Sequence, residues 1–324
     1  YLFSDKLCIL KNIEVKNKTL SNNFKYNLIN EKIKINNIKK YKKINNASIN
    51  SKEIKKNNIF FAIKGNKFNG NKFALEAIKK GASLSFVDKI YFKNKQIFKV
   101  KNTLNLLTEL SKTIRKVSNL KTLGITGSAG KTSLKELIGQ CLNTIDSTTF
   151  SKKSFNNKFG VPISLFNISN KNVYGVFEIG MDKRGEINKL SKIILPDIGI
   201  ITNISYAHIK NFKNLKGIAE AKSELIDNIV CGGSIILNKD DKFFNFFYKK
   251  AKKRKLNIFS FSKNKKTDVQ LIKIVKLKNK SILFVKVFDV KKKFEIKNTN
   301  IDYIENILAA ILVINILVGE SFLK

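Results

Sequence analysis

Short apolar runs separated by Asn- and Lys-rich breaks fill the chain, and the period of each run predicts the element it forms. From Asn27 to Ile49, alternating stretches such as LINEKIKI read as strands joined by polar turns. Residues 59–63 make a buried type of strand, 65–70 a turn, 73–80 a helix closed by Gly81, and 84–87 another strand. A helical spacing over 104–117 brings the chain to residue 118. There a strand over 122–126 breaks at Gly127, Ser128, Ala129 and Gly130, before apolar residues at Leu134, Leu137, Ile138, Cys141 and Leu142. Those steps of three and four belong to one helix face. Residues 147–165 read as a polar loop holding Asn156, Asn157, Gly160 and Pro162. Strands follow at 174–179, 198–204 and 234–237, and the helical patterns between them, 185–194 and 215–229, imply parallel crossovers. Two later strands, 271–277 and 282–290, form a hairpin across KNKS. The apolar run 307–319 is a buried helix.

These elements predict an α/β protein with a leader of no clear pattern over 1–26. A small N-terminal α/β domain over 27–117 precedes a mostly parallel-sheet P-loop ATPase domain over 118–324. A length of 324 residues suffices for two such domains. The 43% hydrophobic content, with 25 Phe, excludes a disordered chain. The run 307–319 is interrupted by Asn315 and falls short of the roughly 20 residues a bilayer requires. No secretory pattern precedes it, so no membrane insertion and a cytoplasmic setting are expected. Cys8, Cys141 and Cys231 lack metal-like or paired spacing, which favours a reducing compartment. Because the chain opens at Tyr1, a fragment of a longer polypeptide is the expectation.

A formal charge of +39 would by itself suggest nucleic acid as partner. The lysines are instead scattered through every segment beside a surplus of Asn and Ile, and no nucleic-acid partner is expected. A basic nucleic-acid binder stays as the alternative of a different class, marked by steep salt dependence.

The candidate chemistry begins at the Gly127–Gly130 break. A glycine-rich turn between strand and helix points backbone N–H groups at an anion, and the helix N-terminus adds its positive end. Lys131 would neutralise β- and γ-phosphate oxygens, and the Thr132 hydroxyl would ligate magnesium. The common loop pattern would place a glycine at Ile125; here the spacing is the compact Thr-Gly-x-x-Gly-Lys-Thr. Function in a doubly wound sheet gathers at the carboxyl ends of strands. Glu178 ends one strand, His208 follows the next, and a crossover helix presents Glu220, Lys222 and Glu224. Glu178 and His208 suit a magnesium site beside a phosphate loop. Lys222 has two readings: a solvated helix lysine, or an amine that has captured carbon dioxide and become an anionic carbamate ligand.

The set GITGSAGKTS, SFNNKFGVP, FEIGMDKRGEI, PDIGIITNISYAH and IAEAKSEL, in this order, resembles the Mur ligases of peptidoglycan synthesis. INSKEIKKNNIFFAIKGNKFNG is similar to that family's substrate-binding domain. The Glu-Ile-Gly-Met and Gly-Glu-Ile pair points, within the family, to the member that adds D-alanyl-D-alanine to UDP-N-acetylmuramoyl-tripeptide. The resemblance implies an ATP-dependent ligase acting through an acyl phosphate, with ATP and Mg2+ as cofactors, and a monomer. It implies that Gly127, Ser128, Ala129, Gly130, Lys131, Thr132 and Ser133 hold the triphosphate. Thr132 would serve a first magnesium, Glu178, His208 and a carbamylated Lys222 a second, and Asn157 and Asn306 would meet the adenine end. Asn50, Ser51 and Lys52 would contact the UDP-sugar, although the family's usual Asp-Ser-Arg offers a planar fork where Lys52 offers a point charge. The stretch before Asn306, usually Gly-x-His-Asn, reads Asn300, Ile301, Asp302, Tyr303. The family's C-terminal domain, which brings the amine, is expected to be absent. A related ligase with another muramoyl-peptide or folate acceptor is the alternative within the class.

Overall fold

Two sheets organise the chain, each belonging to its own unit. The computed structural model describes residues 24–33, 44–65, 68–151, 154–206, 211–212, 214–296 and 303–319. Its contacts separate a first unit, ending at Asn119 but including Phe159–Lys171, from a second unit made of Leu120–Lys158 and the chain from Asn172 onward.

In the first unit, helix α1 (Phe24–Ile33) precedes strands β1 (Ala47–Ser48) and β2 (Asn58–Phe61), helix α2 (Ala74–Lys79), strands β3 (Ala82–Val87) and β4 (Ile97–Lys99), and helix α3 (Thr103–Val117). The strands form one parallel sheet in the order β1-β2-β3-β4. Every residue of β2 is buried, as a strand covered on both faces demands. The α1 stretch is a helix and not the predicted strands. Tyr26, Ile29 and Ile33 recur at helical steps inside a sequence that also alternates, and Tyr26 and Ile29 are buried.

The second unit opens with β5 (Lys121–Thr126), α4 (Lys131–Asn143) and β6 (Thr148–Phe150). Helix α5 (Gly160–Phe166) then packs with the first unit. The predicted polar loop over 147–165 thus holds β6 and α5, with Pro162 in the helix's first turn, where a missing N–H costs nothing. Next come β7 (Tyr174–Glu178), α6 (Glu186–Ile194), β8 (Ile198–Ile201), α7 (Leu215–Ser223), β9 (Ser234–Asn238) and α8 (Phe244–Lys253). The unit continues with β10 (Asn257–Ser262), β11 (Val269–Lys276), β12 (Ser281–Val287), β13 (Val290–Ile296) and α9 (Ile304–Val318).

These strands make a nine-stranded sheet in the order β13-β12-β11-β10-β9-β8-β5-β7-β6. It is parallel from β6 to β11, and β11, β12 and β13 close it as an antiparallel meander. Helix α9 packs its apolar residues, Leu308 and Leu312 among them, into one core with Leu134 and Ile138 of α4. Strand β5 lies between β7 and β8, so the connections leaving β5 and β8 run to opposite sides of the sheet. That reversal opens a crevice at their carboxyl ends. Among the described residues no helix is long and apolar enough to cross a membrane. Cys141 is a free thiol.

Candidate functional site

Where β5 ends in the crevice, the chain turns through Gly127 and Gly130 into α4. Gly127 has φ 151°, and a Cβ there would lie 1.8 Å from the Thr202 hydroxyl oxygen. Gly130 is the left-handed N-cap of α4, with φ 79°, and a Cβ there would come within 2.9 Å of Asn306 Oδ1. Both positions therefore require glycine. The first N–H groups of α4 have no partner within the helix and face the turn, as at any helix start.

The connection leaving β8 clasps this loop. Asn203 accepts from both Ser128 N, through its carbonyl at 2.9 Å, and Ala129 N, through Oδ1 at 3.0 Å. Thr202 Oγ1 donates to Ala129 O at 2.8 Å. Ser128 Oγ donates to Ser205 O at 3.1 Å and accepts from Ser205 N at 2.9 Å. Asp241, at the end of β9, secures the clasp by accepting from Ile204 N at 2.7 Å.

Two lysines converge on one carbonyl of the loop. Lys131 Nζ donates to Gly127 O at 2.9 Å and to Ser128 O at 3.3 Å. Lys222 Nζ, on α7, donates to the same Gly127 O at 2.8 Å. Burial pushes the Lys131 ammonium below the usual lysine range, and the Glu178 carboxylate pulls it back. Lys222 is 1% exposed. Burial first, and the Lys131 cation second, push it from 10.5 to about 7.

Glu178, also 1% exposed, ends β7 with both carboxylate oxygens engaged. Thr132 Oγ1 donates to Oε2 at 2.7 Å, and Asn156 Nδ2 donates to Oε1 at 2.7 Å. The amide that reaches Glu178 is thus that of Asn156, while Asn157 is exposed. Asn306 Nδ2 donates to Gly130 O at 3.2 Å, which sets it against the start of α4. Ser133 is exposed on the first turn of α4. The crossover carboxylates have other partners: Glu220 pairs with Arg184, and Glu224 caps α6 by accepting from Gly185 N at 2.8 Å and Asn188 N at 2.9 Å. His208 lies outside the described residues.

Asn50, Ser51 and Lys52 stand in the first unit, on a tight turn after β1. Asn50 Oδ1 accepts from Lys52 N at 3.0 Å, Ser51 is buried with its hydroxyl 3.4 Å from Glu76 Oε2, and Lys52 is exposed.

Among the described residues no group of three or more His, Cys, Asp or Glu could enclose a metal ion. The Thr132 hydroxyl and Glu178 carboxylate are nevertheless hard oxygens in contact, beneath a loop that a Cβ would fill. Such a pair suits magnesium, which takes one or two protein oxygens and completes its shell with phosphate oxygens and water. The residues present fit a magnesium nucleotide. Sequence reasoning missed Asn156, Thr202, Asn203 and Asp241. Thr202 and Asn203 fall in the last residues of the strand predicted over 198–204, just past β8 itself, and that carboxyl-end position is the signal.

Residues 125–314 match the model of the Mur ligase middle domain, and residues 43–120 match that of the Mur ligase family catalytic domain. A UDP-N-acetylmuramoyl-tripeptide--D-alanyl-D-alanine ligase of Rickettsia prowazekii is 37% identical over 221 residues, covering 67% of this chain and 49% of the relative. The chain spans about half the length of the curated relatives it matches. Among solved structures, a MurF from Acinetobacter baumannii superposes with a TM-score of 0.80 at 25% identity, over 94% of this chain and 66% of its own. A MurF ligase from Thermotoga maritima in complex with ADP gives 0.75 at 25% identity, over 86% and 65%.

Proposed function

The chain belongs to the Mur ligase family, and from that membership we propose that it serves an ATP-dependent ligase joining D-alanyl-D-alanine to UDP-N-acetylmuramoyl-tripeptide. The relatives named for that reaction support the choice of member. The observation that carries the reading is the contact between Thr132 and the buried Glu178, under a glycine loop whose Gly127 carbonyl holds two lysines.

The γ-phosphoryl group passes to the terminal carboxylate of the tripeptide, and the amine of the dipeptide opens the resulting acyl phosphate with loss of phosphate. Little covalent work falls to the protein, so positioning and charge neutralisation dominate. The N-terminal N–H groups of α4 and the Lys131 ammonium neutralise phosphate oxygens. Thr132 would take a first magnesium with the triphosphate, and Glu178, His208 and Lys222 as its carbamate would hold a second. When bound, magnesium neutralises charge on the transferring phosphoryl group. A buried amine with a pKa of about 7 suits the carbamate, since carbon dioxide combines with the neutral form. Asn157 and Asn306 serve the adenine side, with Asn306 also bracing the start of α4. Asn50, Ser51 and Lys52 serve the UDP-sugar. A nucleotide-linked acceptor and ATP meet in the cytoplasm, and we take the acting species as a monomer with no nucleic-acid partner.

In a complete enzyme containing this chain, Mg2+-ATP with the UDP-linked tripeptide and the dipeptide should give ADP and the extended peptide in step. Lys131→Ala should slow both by about a hundredfold or more, the scale of losing a preorganised charge contact. Phosphate release at an unchanged rate in that variant would sink the assignment.

A further inference from the structure

On the side of the phosphate loop that faces α9, one exposed aromatic residue has no role in the chemistry above. Tyr303 stands at the N-cap of α9 with helical backbone angles, φ −89° and ψ −6°. It precedes Asn306 by three residues, so the two side chains leave the same face of the helix. Asn306 Nδ2 reaches Gly130 O at 3.2 Å, and Tyr303, one turn from that contact, is 46% exposed.

A single exposed aromatic is ordinary on a protein surface; the mounting and the place of this one give it a use. Glu305, two residues on, ties the start of α9 to the ends of two strands. Its Oε1 pairs with Lys263, just past β10, at 2.8 Å, and its Oε2 accepts from Asn238 Nδ2, at the end of β9, at 3.3 Å. The ring therefore leaves a fixed backbone at the carboxyl ends of the sheet. Glu178 ends β7 on one side of β5, whereas β9 and β10 lie two and three strands away on the other, about 10 and 14 Å at the usual strand spacing. A nucleotide whose metal-bound phosphates sit by Thr132 and Glu178 sends its nucleoside away from β7, toward the start of α9. There the tyrosine offers a flat apolar face of the kind on which a base stacks.

We propose that Tyr303 is the stacking platform for the base of the nucleotide. The inference rests on the reading that the glycine loop, Thr132 and Glu178 serve a magnesium nucleotide, and it adds a residue that holds the base while the loop holds the phosphates.

Calorimetric titration of the chain with Mg2+-ADP and with Mg2+-pyrophosphate, which has no base, tests this. Tyr303→Ala should weaken Mg2+-ADP about tenfold or more, the scale of losing one base–aromatic stack, and Mg2+-pyrophosphate by less than about twofold. Tyr303→Phe keeps the ring and should bind Mg2+-ADP within about twofold of the unsubstituted chain. If Tyr303→Ala loses its cooperative melt, Tyr303→Leu, which keeps apolar bulk without an aromatic face, should show the same split. Equal weakening of Mg2+-ADP and Mg2+-pyrophosphate, no change in either, or a loss in Tyr303→Phe as large as in Tyr303→Ala would overturn the role of Tyr303 alone. Binding of neither by the unsubstituted chain would overturn the underlying reading and this role with it.

Discussion

Lys222 shows how a single residue's environment changes what it can do. In the unfolded chain its amine titrates near 10.5, while in the fold burial and Lys131 bring it to about 7. Between those values the unfolded chain binds a proton that the folded chain does not, so this group makes folding more favourable as pH rises across the window. In carbon-dioxide-free buffer, chemical denaturation at stepped pH should therefore show an upward slope that Lys222→Met removes, and bicarbonate should alter the slope only in the unsubstituted chain. An identical slope in both proteins would mean that the folded amine stays charged. Spacing alone left Lys222 open between a solvated lysine and a ligand, because a helix lysine carries no mark of burial. The resemblance singled it out, and the contact with Gly127 O gives it a location. Asn156 shows the reverse. It and Asn157 are the same residue type in adjacent places, and only the backbone path decides which amide reaches Glu178.

At the scale of elements, the phosphate loop is held from outside as much as from within. Its shape depends on the β8 connection, where Asn203 accepts from two successive loop N–H groups. Asn203→Ala keeps the carbonyl contact and loses the one to Ala129 N. Mg2+-ADP affinity should fall roughly fivefold, about 1 kcal/mol for one hydrogen bond, with little change in melting temperature because Ala129 is exposed. An affinity equal to that of the unsubstituted chain would show that the loop keeps its shape without the clasp. Continuous apolar runs made β5, β7, β8 and β9 legible in the sequence, since parallel strands buried on both faces have no polar alternation to confuse them. The steps of three and four after Gly130 did the same for α4. α1 is hidden because LINEKIKI alternates while its buried residues follow the helical step, and α5 because Asn156, Asn157, Gly160 and Pro162 look like loop chemistry. Contacts between distant segments decide such cases.

For the whole molecule, the charge of +39 has a partial structural use. Strand β13 ends the sheet and carries Lys291, Lys292 and Lys293, and charged side chains on an edge strand discourage pairing with another chain. The two-unit division matters more. Phe159–Lys171 belong to the first unit although β5, α4 and β6 precede them in the chain. Asn167 occupies both backbone groups of Ala47, accepting from its N–H at 2.7 Å and donating to its carbonyl at 3.1 Å. Ser111 Oγ donates to Pro162 O at 2.7 Å, and the rings of Phe61 and Phe166 meet edge-on with centroids 5.6 Å apart. A chain ending at Asn119 should accordingly give no cooperative melt by circular dichroism, and joining Phe159–Lys171 to it through a flexible linker should restore one. A sharp transition in the shorter chain would show that α5 is dispensable. The same arrangement sets a timetable for synthesis. At roughly 5–20 residues per second, about 3 to 10 seconds separate the emergence of Asn119 from that of Lys171. For that interval the nascent first unit carries an unfilled place beside Phe61, Ser111 and Ala47, so the unit whose synthesis starts first cannot close until part of the second has been made.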